Sequence, residues 1–194
     1  EFAQRFGDGA MLSRFILPRG AYDDERKAQA RQALTNTDVA QPALGAVEVA
    51  MLRLLREFGV GGDMAAGHSY GEFVALHAAG AIDFEALMSL SAARGRFIVD
   101  AARAEGSELG TMAAVRGSRE QVEQAISGLK GVVVANHNAP MQTVVSGSHA
   151  GMEAAMQALA KAGVEATMLP VAAAFHSSLV KPARHALAAK IEAT

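Results

Sequence analysis

Ser69 stands between two glycines in Gly67-His68-Ser69-Tyr70-Gly71, the pattern G-x-S-x-G. The spacing suits a nucleophile. A strand that turns sharply into a helix leaves its middle residue strained, with the hydroxyl exposed. Flanking residues must be tiny where neighbouring backbones pass close by. The Tyr70 N–H then lies at a helix N-terminus and can donate to a developing oxyanion. In a chain with 19 glycines the pattern is also met as a plain strand-helix turn. A serine hydroxyl needs a base, and there are six histidines. On a strained turn His68 points away from its neighbour. His77 reads as a packed residue on the following helix, and His149 and His185 as solvated ones. His137 falls in an Asn136-His137-Asn138 loop, where turn chemistry explains it. His176 follows the apolar run Val171-Ala172-Ala173-Ala174-Phe175, at the edge of a buried strand, a position that suits a base. Position alone leaves the assignment open.

A third group is cationic. On a helix from Phe84 to about Ala104, residues Leu87, Leu90, Arg94, Phe97, Ile98 and Ala101 share the apolar face. Arg96 falls on the opposite side, where Asp100 is a pairing partner. Arg94 therefore points inward, and a buried guanidinium needs an anion. An internal carboxylate would serve. So would a substrate carboxylate gripped by the guanidinium fork.

These residues need a scaffold. Asp23 to Leu34 reads as a short solvated helix. Pro42 suits the first turn of a helix whose Leu44, Val47, Met51, Leu54, Leu55 and Phe58 form one apolar stripe. Gly59 ends it. Met64-Ala65-Ala66 reads as a short buried strand entering the serine turn, and a helix follows from Glu72 to about Ala79. Asp83 is an N-cap for the long helix. After Gly106 the expected order is strand (Thr111-Val115), helix (Ser118-Leu129), strand (Val132-Ala135), strand (Gln142-Ser146), helix (Met152-Ala162) and strand (Val164-Val171). That is the ferredoxin-like βαββαβ order. A final amphipathic helix after His176 is expected to run to Thr194. The expectation is an α/β chain in which 1–108 and 172–194 form one subdomain, incomplete at both ends, and 109–171 a small inserted one.

Composition removes other functions. The chain has 194 residues, enough to bury roughly 70% of its unfolded surface. A hydrophobic share of 51% and a charged share of 20% exclude a disordered chain. With a net charge of −2 there is no basic field for nucleic acid or an anionic membrane. Cysteine is absent, so disulfides and thiolate chemistry are excluded. No histidine or carboxylate cluster shows metal-ligand spacing. No run reaches the roughly 18 apolar residues of a membrane span, and no signal-peptide layout opens the chain. The cytoplasm is the expected compartment. Gly59-Val60-Gly61-Gly62 precedes its strand instead of following it, which argues against a phosphate loop.

Taken together the motifs resemble those of malonyl-CoA:acyl-carrier-protein transacylases and the acyltransferase domains of polyketide and fatty-acid synthases. Gly67-His68-Ser69-Tyr70-Gly71-Glu72 matches their G-H-S-x-G-E. Gln41-Pro42-Ala43-Leu44 looks like their Q-P-A-L. Arg94 lies 25 residues after the serine, where the family places its carboxylate-binding arginine. Asn136 to Gly147 resembles N-x-N-x-P-x-Q-x-V-V-S-G, and Ala174-Phe175-His176-Ser177 looks like A-F-H-S. The resemblance runs from about Gln41 to Pro182.

The resemblance implies a hydrolase-like parallel-sheet large subdomain with a ferredoxin-like insert. It implies ping-pong transfer of a malonyl group from CoA, through a seryl ester, to the phosphopantetheine thiol of an acyl carrier protein. Ser69 would be the nucleophile, His176 the general base and the Tyr70 N–H part of the oxyanion hole. Arg94, Gln41, His68, Phe175 and Asn138 would bind substrate. No permanently bound cofactor and no metal is implied. Malonyl-CoA is the substrate, and the partners are the carrier protein and neighbouring synthase domains such as a ketosynthase. Phe175 before the histidine goes with malonyl units, whereas methylmalonyl domains carry Y-A-S-H. One methyl discriminates by about 1–3 kcal/mol. Tyr70 after the serine resembles the iterative polyketide and polyunsaturated-fatty-acid synthases.

Two departures stand out. The family opens with a G-Q-G-x-Q loop, for which Gly7-Asp8-Gly9 is no substitute. The family residue that orients the histidine ring lies beyond the end of this chain, which reads as a domain excised from a longer synthase. Two rival readings remain. A serine hydrolase or thioesterase would need an acid between Ser69 and His176; Asp83, Asp100, Glu108 and Glu153 look like caps or exposed helix residues. A catalytically silent scaffold would not need Ser69, Arg94 and His176 together.

Overall fold

Side-chain caps mark where several helices begin. In the computed structural model, which describes residues 11–20, 23–104 and 108–194, Asp23 Oδ1 accepts from the Arg26 N–H at 2.7 Å. Asp83 Oδ1 accepts from the Ala86 N–H at 2.7 Å. Ser118 and Gln121 form a reciprocal capping box. Gly7, Asp8, Gly9 and Gly106 lie outside the described residues. The chain divides into two units, Glu1–Phe97 with His185–Thr194, and Ile98–Arg184.

In the first unit the described helices are α1 (Leu12–Ile16), α2 (Asp24–Thr35), α3 (Thr37–Glu57), α4 (Gly71–Ala78) and the start of α5 (Phe84–Ala104). The two helices that follow the serine turn, α4 and α5, run where the sequence puts them. Helix α3 differs from expectation at its start. It begins at Thr37, five residues ahead of Pro42. Packing carries the helix across the proline, because Thr37, Val39, Gln41, Pro42 and Ala43 are all buried.

The stripe of α3 differs too. Leu44, Val47, Met51, Leu54, Leu55 and Phe58 share a face but stand exposed, Phe58 at 77%. Periodicity says which residues share a face, and the cover must come from elsewhere in sequence. What α3 buries is the side with Val39, Gly45 and Val49. Val49, Tyr70, Val74 and Leu87 form the core there, with Phe73 and Ile82 against them. Near the start of α3, Gly95 of α5 comes very close. A Cβ on Gly95 would lie 2.6 Å from the Thr37 carbonyl oxygen and 2.7 Å from the Asp38 Cα.

Met64-Ala65-Ala66 forms no strand, and Met64 is 94% exposed. A strand exists only through its ladder partners, and the described residues provide none here. For the same reason the parallel sheet expected of the larger part is not formed by the described residues.

The second unit follows the expected order. It runs β1 (Thr111–Arg116), α6 (Arg119–Ala125), β2 (Val132–Ala139), β3 (Gln142–Gly147), α7 (His149–Lys161) and β4 (Glu165–Met168). The strands form one sheet in the order β2-β3-β1-β4, with every pairing antiparallel. Ala113, Val115, Val132 and Val145 face Val122 of α6 and Met152, Ala155 and Leu159 of α7 in one core. Helix α7 starts three residues earlier than expected, because Ser148 Oγ caps it through the Gly151 N–H at 3.0 Å. Asn136-His137-Asn138 is strand and not loop. It belongs to β2, whose register shifts between Val134 and Asn136 and again between His137 and Ala139, so polar turn-formers sit in a bulged strand end.

After a short 3₁₀ turn (Ser178–Val180), α8 (Ala183–Glu192) closes two residues before Thr194. No described helix is long and apolar enough to cross a membrane.

The contact at Gly95 yields a prediction. Gly95→Ala should destabilise the chain by about 1–3 kcal/mol, the usual cost of overpacking, read as a lower midpoint in urea unfolding. An unchanged midpoint would mean that the α3–α5 approach is loose.

Candidate active site

The serine turn is built from backbone constraints. The Gly71 N–H bonds the His68 carbonyl at 3.0 Å, the Glu72 N–H bonds the Ser69 carbonyl at 3.1 Å, and the Phe73 N–H bonds the Tyr70 carbonyl at 3.1 Å. The serine turn therefore runs directly into helix α4, whose N-cap is Tyr70. Ser69 has φ +53°, and the one other described non-glycine residue with positive φ is His176, at +61°. Such a conformation costs of order 1–3 kcal/mol and persists only where surrounding contacts enforce it.

Gly67 meets the expected demand for a tiny residue. A Cβ there would lie 2.1 Å from Gly71 C and O and 2.4 Å from Glu72 N. Gly71 does not meet it in the same way, since nothing lies within 4 Å of its Cβ position. The close approach is made onto the Gly71 backbone, so the tightness belongs to Gly67.

Tyr70 follows the serine, and its ring is buried. Its hydroxyl lies 2.6 Å from Ser91 Oγ on α5. Ser91 Oγ in turn donates to the Leu87 carbonyl at 2.6 Å. Burial pushes the phenol up from its ordinary value, and the Ser91 hydrogen bond opposes this in part.

Arg94 turns inward, as its helix face predicts. It is half-buried, and its Nη1 donates to Gln41 Oε1 at 2.7 Å. The Gln41 side chain is buried and oriented from its other end, where Nε2 donates to Thr37 Oγ1 at 2.8 Å. Among the described residues no carboxylate comes within ion-pair distance of Arg94. Burial pushes its guanidinium down from the ordinary value, and the fields of Tyr70 and Glu72 oppose that shift. Those two couplings put the cation within electrostatic reach of the residues that follow the serine.

His68 is exposed and lines a groove of ≈ 390 Å³ with Leu44, Glu48, Leu52, Val74 and Ala75. Ser69, Arg94 and Gln41 are not in its lining. His77 is a packed residue, as expected: its Nδ1 is 3.1 Å from the Ile82 carbonyl and its ring meets Phe84 edge-on.

His176, Phe175 and Asn138 belong to the second unit. His176 is exposed and Phe175 half-buried. The backbone around the histidine is tied down. The Ala174 N–H donates to the Leu109 carbonyl at 2.7 Å. Ser177 Oγ donates to the Ala174 carbonyl at 2.7 Å and accepts from the Leu179 N–H at 3.2 Å. Asn138 is exposed on β2, at the second register shift. No group of three or more His, Cys, Asp or Glu among the described residues is arranged to hold a metal.

Sequence reasoning missed Thr37, Ser91 and Ser177. Thr37 and Gln41 are four apart on one helix, a spacing at which side chains meet, so that pair had a local signal. The contact between Tyr70 and Ser91, 21 residues apart, had none.

Comparison with known proteins shows the family. A family model described as "Acyl transferase domain" matches residues 24–194. The chain is 40% identical over 151 residues to the polyketide synthase GfsA of Streptomyces halstedii, covering 77% of this chain and 2% of that one. It is 38% identical over 168 residues to the malonyl CoA-acyl carrier protein transacylase of Bacillus subtilis, covering 84% of this chain and 52% of the other. Among solved structures, the corresponding transacylase of Clostridium perfringens aligns with a TM-score of 0.77 at 31% identity, over 99% of this chain and 57% of that one. The chain thus spans about half the length of the free-standing relatives it matches and a small share of the synthase.

Burial of Tyr70 is open to direct titration. Its raised pKa means that the folded form holds the phenolic proton more tightly than the unfolded form. The associated stability is present below about pH 10 and is lost as pH rises through the folded value. The chain has two tyrosines. Absorbance at 295 nm should show a phenol ionising late, and Tyr70→Phe should remove that late step. Two ordinary titrations in the native protein would contradict the burial.

Proposed function

The chain belongs to the acyl transferase domain family, and from that premise we propose that it moves a malonyl group from CoA to the phosphopantetheine thiol of an acyl carrier protein. In this reading Ser69 Oγ attacks the thioester carbonyl while His176 takes its proton. The tetrahedral oxyanion accepts from the Tyr70 N–H. The C–S bond breaks, His176 returns the proton to the CoA sulfur, and a malonyl-seryl ester remains. The carrier thiol then reverses the sequence and leaves with the acyl group. Hydrolase-like architecture around the serine, with 109–171 as the inserted small subdomain, is part of the same proposal. So are a cytoplasmic setting and neighbouring domains such as a ketosynthase.

The observation that carries the reading is Arg94. It is a half-buried cation beside the serine turn, steadied by the neutral Gln41 amide and within the fields of Tyr70 and Glu72. An amide oxygen orients a guanidinium but does not neutralise it. A substrate carboxylate would, through two parallel N–H···O bonds. A simple ester hydrolase has no use for such a group. The names of the transacylase relatives point the same way. Phe175 before His176 would crowd an α-methyl and favour malonyl over methylmalonyl.

Intact-protein mass spectrometry tests this. Brief exposure to malonyl-CoA should give a single malonyl adduct, absent in Ser69→Ala. Arg94→Ala should lower malonyl loading about 100-fold, the scale of losing one partner of a hydrogen-bonded charge pair, and leave acetyl loading unchanged or higher. Loading that is indifferent to Arg94 would argue for a serine hydrolase. No adduct from any thioester would argue for a silent scaffold.

A further inference from the structure

The Tyr70 side chain is unused in the reaction above, which needs only its backbone N–H. Its surroundings are nevertheless specific. Ser91 has one hydroxyl proton, and that proton goes to the Leu87 carbonyl. The hydrogen between Tyr70 and Ser91 is therefore the tyrosine's own, so the chain of donors runs Tyr70 to Ser91 to Leu87. On the opposite side, Gly45 of α3 leaves the space that the hydroxyl fills. A Cβ on Gly45 would lie 2.3 Å from Tyr70 Oη and 3.5 Å from Ser91 Oγ. The phenol tip is thus gripped between α3 and α5. The ring is steadied further by Phe73, at 6.3 Å and tilted.

One peptide bond upstream is Ser69, in a left-handed conformation that its own side chain disfavours. The next turn of chain must be held from outside for that geometry to persist. We propose that the Tyr70 side chain, gripped between Gly45 and Ser91, is a positioning residue: it holds Ser69 in its left-handed backbone and aims the Tyr70 N–H at the oxygen that becomes charged. The three residues come from three separate elements, so the grip also sets the serine turn at a fixed distance from α5, the helix that carries Arg94. The inference rests on Ser69 being the nucleophile.

The test compares wild type with Tyr70→Phe, Ser91→Ala, the double variant and Gly45→Ala. Single-turnover acylation by malonyl-CoA gives kcat and KM for the first half-reaction. Labelling by a fluorophosphonate probe reports serine reactivity without CoA or carboxylate binding. Thermal unfolding is followed alongside. Tyr70→Phe keeps the ring and removes one hydrogen bond. It should lower the acylation kcat and the labelling rate about tenfold, with KM unchanged. Ser91→Ala should do the same, and the double variant should be no worse than either single one. Gly45→Ala, which pushes the hydroxyl out of its seat, should lose more.

A merely structural tyrosine would lower the melting temperature and leave both rates per folded molecule unchanged; that result overturns the proposal. A wild-type chain whose Ser69 reacts with neither reagent overturns the nucleophile assignment beneath it. The two failures are therefore distinguishable.

Discussion

A guanidinium set among helices with a neutral amide for its partner is the constraint on which the site depends. Arginine stays charged at any pH a protein meets, so burial cannot discharge Arg94 and the surroundings must accommodate a cation. Gln41 supplies one oxygen to it. Thr37 keeps that oxygen pointed correctly by occupying the other end of the amide. Both residues lie in the first turns of α3, and those turns reach α5 only because Gly95 presents no side chain to Thr37 and Asp38. The arrangement orients the charge without an ion-pair partner among the described residues, which is what the proposed grip on a substrate carboxylate requires.

A second constraint is backbone strain. Ser69 and His176, the two residues assigned to proton and acyl transfer, are also the two described non-glycine residues held at positive φ. Each is fastened by its neighbours. Around Ser69 the fastening comes from the start of α4, from Gly67 and from the buried Tyr70 hydroxyl. Around His176 it comes from Ser177 Oγ and the Ala174–Leu109 hydrogen bond. Within a marginally stable chain, conformations of this cost point to residues whose geometry serves function.

What the sequence made legible was local. The G-x-S-x-G turn, the inward face of Arg94, the Asp83 cap and the βαββαβ order of the second unit all follow from spacings of a few residues, and they reappear in the structure. What it left unread depends on partners distant in sequence. Met64-Ala66 was expected as a strand from its apolar character, yet a ladder needs a neighbour that the described residues do not provide. The Leu44-to-Phe58 stripe has the right period but no cover among those residues. Asn136-His137-Asn138 has turn composition but lies in a bulged strand, because pairing with β3 outweighs the preference of single residues. The link between Tyr70 and Ser91 is a tertiary contact with no sequence period at all.

In the proposed function the charge of Arg94 chooses the acyl group. A competition for Ser69 between malonyl-CoA and its carboxamide analogue, which has the same shape and no charge, isolates that choice. The two seryl esters would be counted by mass spectrometry after one turnover. Malonyl should win by about 100-fold or more, the scale of a hydrogen-bonded charge pair. Equal loading of the two would show that the arginine serves the fold and not the substrate.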